Sequence, residues 1–146
     1  MAAPTSVRFD ADVAARLARF VAARPGLSAS AATNQLVDEA LRCQEHPLVV
    51  FRDGPAGRRA RLIGGPDVWE VARALRSARL SEPDLGPAAL VELVSDTSGV
   101  DPMLIRAAIA YQAAFPAEVD GWIGRAEAEA AEAHDRWVRE QELLGQ

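Results

Sequence analysis

The stretch Thr5-Ser6-Val7-Arg8-Phe9-Asp10 decides how this chain is read. Val7 and Phe9 fall on one side of an extended backbone and Ser6, Arg8 and Asp10 on the other, which is the period of two expected of a short, half-buried strand. Helical periodicity follows at once. Asp10 or Asp12 is placed to cap a helix whose apolar residues Val13, Leu17, Phe20 and Val21 recur at spacings of three and four. Pro25-Gly26 ends that helix. Ser28 is the expected N-cap of a second one, with Ala31 or Ala32, Leu36, Val37, Ala40 and Leu41 as its inward stripe.

A lone strand has no ladder partner, and a module of about 45 residues buries too little surface to be stable by itself. Two copies are therefore expected to pair strands 5–10 antiparallel, with Val7 and Phe9 of each copy in a shared dimer core. The opposite face of that ribbon presents Ser6 and Arg8 twice about a two-fold axis. A two-stranded ribbon fits the major groove of DNA, where Arg donates to guanine and Ser reaches several base edges.

The order Ser6-Val7-Arg8-Phe9-Asp10, a helix, then Gly26-Leu27-Ser28-Ala29-Ser30 opening a second helix that ends near Ala40-Leu41-Arg42 resembles the ribbon-helix-helix repressors of the MetJ, Arc and CopG type. The resemblance covers residues 1–43. It implies that Ser6 and Arg8 contact bases, with Pro4 at the edge, and that the first-turn amides at Ser28, Ala29 and Ser30 hold a phosphate. Ala29 stands where a Lys or Arg is common in that family, and Pro4 where a polar strand residue is common. Both departures imply weaker or more context-dependent DNA affinity.

Composition is compatible with this and excludes other classes. With 146 residues, 49% hydrophobic and 25% charged, the chain has ordinary globular arithmetic. No apolar run suits a spanning helix, and residues 1–6 lack the pattern of a leader, so a cytoplasmic protein without membrane contact is expected. Cys43 is the single cysteine, and His46 and His134 have no second ligand at metal spacing, so neither a disulfide nor a metal site is expected. No nucleophile lies beside a plausible base, so neither an enzyme, a cofactor nor a small-molecule substrate is expected. The charge is split: residues 1–80 hold 12 Arg against 8 acids, a net of +4, and residues 81–146 hold 4 Arg against 13 acids, a net of −9. The basic end is the one suited to phosphate.

After His46-Pro47, Leu48-Val49-Val50-Phe51-Arg52 and Arg59-Ala60-Arg61-Leu62-Ile63 read as two strands around residues 53–58, a hairpin. Pro66 is expected at the first position of a third helix with Val68, Trp69, Val71, Ala72 and Leu75 on its inner stripe. A fourth helix is expected over residues 87–94. A fifth starts at Asp101-Pro102 and runs to Tyr111 or Gln112. The pair of helices around Gly99 and Val100 resembles a helix-turn-helix, yet the exposed face of its second helix offers a single cation, Arg106. Arg58, Arg59 and Arg61 could instead form a basic wing on the hairpin, with Arg58 and Arg59 as backbone-phosphate contacts. Gly54, Gly57, Gly64 and Gly65 are turn glycines; a phosphate loop would need a lysine that is absent.

His46-Pro47, Gly57-Arg58-Arg59, Gly64-Gly65-Pro66-Asp67-Val68-Trp69 and the segment from Ala108 to Asp120, which includes Tyr111-Gln112-Ala113-Ala114-Phe115-Pro116, resemble the bacterial domain-of-unknown-function family number 433. The resemblance spans residues 46–123. It implies an antitoxin of a type II pair whose cognate toxin is a PIN-like ribonuclease, and it carries no catalytic residue.

Residues 116–144 read as one long helix rich in Ala and Glu, with Val119, Trp122, Ile123, Ala126, Ala130, Ala133, Trp137 and Leu144 near heptad spacing. Its far half is acidic and alanine-faced, so Trp122 and Trp137 are the expected anchors for a partner protein, the alternatives being a solvated helix or a dimeric coiled coil. The expected fold is mainly α: a ribbon-helix-helix dimerisation and DNA-binding module over residues 1–45, a hairpin plus helix-turn-helix-like helical domain over 46–115, and an acidic C-terminal helix over 116–146. The expected function is that of an antitoxin that binds operator DNA as a homodimer, represses its own operon and neutralises the toxin, with a further pairing to a tetramer left open. The alternative is a stand-alone regulator, or an interaction module that uses residues 1–43 only to dimerise.

Overall fold

The computed structural model describes residues 3–145. It is mainly helical, with six helices and one antiparallel hairpin among the described residues. The elements in chain order are α1 (Ala11–Ala22), α2 (Ala29–Glu45), β1 (Val49–Gly54), β2 (Gly57–Leu62), α3 (Val68–Ser81), α4 (Pro87–Ser98), α5 (Pro102–Ala114) and α6 (Pro116–Leu144). Two compact units divide the chain, Met1–Gln44 and Glu45–Gln146. No division falls before α6, because Val119 and Ile123 at its start are buried in the core of the second unit.

In the first unit α1 starts after Asp10, which occupies the N-cap position without a side-chain hydrogen bond. The chain then turns through Arg24, whose amide donates to the Val21 carbonyl at 3.0 Å, and Gly26, whose φ of 85° only glycine adopts freely. Ser28 caps α2: its hydroxyl accepts from the Ala31 amide at 3.1 Å. That helix runs past the expected end at Arg42 to Glu45, because Pro47 is the first residue able to stop it and Arg42 pairs with Asp38 one turn back at 2.9 Å.

The apolar stripes of this unit do not close on each other. No residue of α1 is buried, and Ala32 is the one buried hydrophobic residue among the described residues of the unit. Val37 and Leu41, expected to face inward, are 53% and 58% exposed. Residues 3–10 form no strand in the single chain, where no other strand pairs with them, and all of them are exposed.

The second unit has the core that the first lacks. In the hairpin Val49 pairs with Leu62, Phe51 with Ala60 and Gly54 with Gly57, so the connection is the two residues Pro55-Ala56 rather than the six expected. Gly57, at φ 122°, permits that tight turn. Arg58 consequently sits in β2 beside Arg59 and not in the loop. The helix expected from Pro66 begins instead at Val68, because Asp67 and Glu70 form a reciprocal capping box and leave Pro66 outside.

On α4 the helix continues past Val94 to Ser98, where Gly99 takes the left-handed conformation at φ 74° and returns its amide to the Ser95 carbonyl at 2.8 Å. Asp101 then caps α5 by accepting from the Met103 amide at 2.7 Å, with Pro102 in the first turn. Val49, Leu62, Val68, Val94, Ile105, Tyr111 and Ile123, each less than about 2% exposed, fill the space between the hairpin and α3 to α6. No helix among the described residues is long and apolar enough to cross a membrane.

Candidate nucleic-acid interface

Of the residues expected to meet DNA, five lie in the first unit and the two hairpin arginines in the second. Ser6 and Arg8 belong to the exposed segment ahead of α1, and Ala29 and Ser30 to the exposed first turn of α2. The Ser28 hydroxyl is already used on the Ala31 amide, and the Thr33 hydroxyl on the Ala29 carbonyl at 2.8 Å, so this turn is held from within. A helix start fixed in this way presents its remaining first-turn amides outward, the arrangement that suits a phosphate oxygen.

The same unit holds an apolar groove of about 380 Å³ between α1 and α2, lined chiefly by Phe9, Val13, Leu17, Phe20, Leu36 and Val37. The Arg24 guanidinium stacks on Phe20, one of the lining residues, at 3.6 Å and donates to its carbonyl at 3.1 Å. Phe9, though outside any helix, contributes to that lining and stays 38% exposed, while Val7 is 64% exposed. The dimer core expected at Val7 and Phe9 is thus an uncovered apolar surface in the single chain.

The hairpin arginines, expected as a basic wing, are tied into the second unit. Arg58 pairs with Asp53 at 3.3 Å. Arg59 pairs with Asp67, whose side chain is 7% exposed and also accepts from Trp69 Nε1 at 3.3 Å. Asp67 therefore serves β2, the indole of α3 and the start of that helix together. A Cβ on Gly54 would collide with the Arg59 guanidinium, so glycine there gives the side chain its room. Arg61 donates from Nε to the Gly65 carbonyl at 2.9 Å. Sequence reasoning missed Asp67, although the spacing Asp67-x-x-Glu70 before an apolar run was a readable capping signal.

The two tryptophans expected as partner anchors differ. Trp122 is half-buried; Arg125 stacks on it at 3.9 Å and Arg59 lies 5.8 Å from its centre. It lines a small cleft of about 250 Å³ with Pro55, Ala56 and Trp69. Trp137, by contrast, is 56% exposed and touches His134 in a stacked arrangement at 6.0 Å. The helix keeps these two indoles about 22 Å apart along its axis, so they do not form one site. No group of three or more His, Cys, Asp and Glu able to hold a metal occurs among the described residues, and Cys43 is a half-buried free thiol.

Comparison of the chain with protein-family models, with curated proteins and with solved structures finds no match.

Proposed function

We propose that this chain is a homodimeric, sequence-specific DNA-binding regulator of the antitoxin kind, in which the first unit dimerises through residues 5–10 and reads an operator. The observation that carries the reading is the missing core of that unit: α1 buries nothing, and its apolar residues open with Phe9 onto a groove of about 380 Å³. Burial of apolar area, at ~25 cal/mol per Å², is what offsets the entropy of ordering a chain, and two helices whose one buried hydrophobic residue is an alanine fall short. A second copy supplies what is absent. Strand pairing between copies satisfies both edges at residues 5–10 and brings Val7 and Phe9 of each chain over the grooves.

In that dimer Ser6 and Arg8 stand on the outer face of the ribbon, where Arg8 donates to a guanine edge, and the first turn of α2 at Ser28, Ala29 and Ser30 clamps the backbone. A PIN-like ribonuclease as the partner rests on the resemblance of residues 46–123. A second reading, dimerisation without an operator, is favoured by Ala29 in the phosphate clamp and by the net charge of −5.

Selection from random duplexes, followed by binding measurements and light scattering, separates the two. The regulator reading expects a dimer that enriches an inverted repeat. Arg8→Ala then loses about 1 to 3 kcal/mol and relaxes one position in each half-site, whereas Ser28→Ala weakens all sequences alike. A monomer, or a dimer that enriches nothing, overturns it.

A further inference from the structure

We infer that α6 pairs antiparallel with α6 of a second copy of this chain, in a single register centred between Ala131 and Glu132. From residue 127 to residue 144 every position of α6 is exposed apart from the half-buried Val138. That is about 27 Å of helix with no tertiary cover. Isolated helices of this length are marginal in water, and Trp137 and Leu144, 56% and 79% exposed, add apolar area that nothing in the second unit shields.

The seam of this helix does not stop where its docking stops. Val119 and Ile123, 2% and 1% exposed, anchor α6 in the core of the second unit. Ala126, Ala130, Ala133 and Trp137 continue the same alternation of three and four residues, so one heptad stripe leaves the core and runs on uncovered.

The residues flanking the stripe say what covers it. Glu129 and Arg136 lie on one flank, at the positions just before each inner residue that precedes a step of three; Glu127 and His134 lie on the other. When two such helices run antiparallel with Ala130 of one against Ala133 of the other, Glu129 of each copy meets Arg136 of the other. Glu127 of each meets His134 of the other. Both Glu129–Arg136 contacts then join opposite charges, and each Glu127 carboxylate faces an imidazole able to donate a hydrogen bond. In the same register the Trp137 indole lies over Ala126 of the opposite copy, a large side chain on a small one, at both ends of the pair.

A parallel pair fails on both counts. It sets Trp137 against Trp137 and leaves Arg136 beside Gln141, with no acidic neighbour across the seam. A basic groove on a different protein would attract the acids and repel Arg136. Glu132, Asp135 and Glu142 project away from the stripe, and Glu140, which falls on it one step beyond Trp137, lies outside the paired span 126–137, so these carboxylates stay in solvent when two copies meet.

The pairing does not depend on the DNA-binding reading, and its test is chosen to be blind to the first unit. Two full-length chains carrying Cys43→Ser and tags of different size are co-expressed, one with Ala130→Cys and the other with Ala133→Cys, and then oxidised. The expected product is the mixed disulfide dimer, in clear excess over either same-chain dimer. An outward-facing pair, Ala128→Cys with Ala131→Cys, gives the background. Adding Arg136→Glu is expected to reduce the mixed product about fivefold, and adding Glu129→Arg to that variant restores it. Same-chain dimers in excess, a yield at background, or no recovery in the charge swap each overturn the proposal; the background yield is the result a foreign partner would give.

Discussion

The hydroxyl of Tyr111 donates to Glu118 Oε2 at 2.6 Å and so fastens the end of α5 to the first turn of α6. Tyr111 is fully buried, with the His46 ring edge-on at 5.3 Å and the Phe115 ring at 4.8 Å. A buried phenol needs an acceptor, and Pro116 makes the chain restart its helix at the point where Glu118 can supply one. Tyr111→Phe keeps the ring and deletes the donor, for an expected loss of about 1 to 2 kcal/mol. Tyr111→Ala removes the ring as well and should cost about 3 to 5 kcal/mol. Urea denaturation followed by tryptophan fluorescence reads both; equal stability of the Phe variant and the parent would mean the bond contributes nothing.

Asp67 is the one buried carboxylate of the second unit's network, and it pairs with a cation while its backbone amide donates to Glu70 Oε2 at 2.9 Å. Removing it by Asp67→Ala strands Arg59 and uncaps α3, and the expected loss is about 3 kcal/mol. Asp67→Asn keeps a cap acceptor and surrenders only the charge, so it should retain roughly half of that. If both variants melted with the parent in a thermal scan, the network would be decorative.

Two glycines should respond in opposite directions. At Gly99, φ is 74° and no atom lies within 4 Å of where a Cβ would sit, so Gly99→Ala is opposed by backbone strain alone and should cost about 1 kcal/mol. Gly124 lies inside α6 with open space around it, so Gly124→Ala removes an entropic penalty and should stabilise by about 0.5 to 1 kcal/mol. A shift of the same sign in both would contradict the conformational account.

Much of the second unit was legible because its punctuation is chemical. Asp101-Pro102 and Pro116 mark the starts of α5 and α6 where the structure has them, since a cap acceptor and a missing amide have no alternative reading there. The errors lie where two signals compete. Pro66 suggested a helix start, but the reciprocal bonds of Asp67 and Glu70 satisfy more backbone donors and win. The expected end of α4 at Val94 falls four residues short, because the hydroxyls of Thr97 and Ser98 fold back on the carbonyls of Leu93 and Val94 and keep the last turn helical. The engagement of Arg59 by a residue eight positions on leaves no periodic trace, so the hairpin looked like a free basic wing. As for residues 5–10, alternation foretells a strand only when a second edge pairs with it, and in the single chain the sheet consists of β1 and β2 alone.

The exposed half of α6 gives the sharpest separation between parts of this molecule. Residues 127–144 add no buried side chain to the second unit, whose core ends with Ile123 on this helix. Deleting residues 127–146 should therefore leave the denaturation midpoint of that unit nearly unchanged, as for surface changes worth less than about 0.5 kcal/mol. Dimerisation through residues 5–10 should persist as well, because the groove lined by Phe9 and Val13 belongs wholly to the first unit. The deletion takes away Glu127, Glu129, Glu132, Asp135, Glu140 and Glu142 against only Arg136 and Arg139, so the truncated dimer carries less negative charge toward phosphate. Its affinity for DNA should rise at low salt and converge with the parent's at high salt, since the gain is long-range Coulomb energy and is screened. Light scattering and a salt series on one duplex measure this. A truncated chain that is monomeric would show that the copies are held together through α6 and not through residues 5–10, and one that binds DNA more weakly at low salt would show that α6 contributes to the DNA contact.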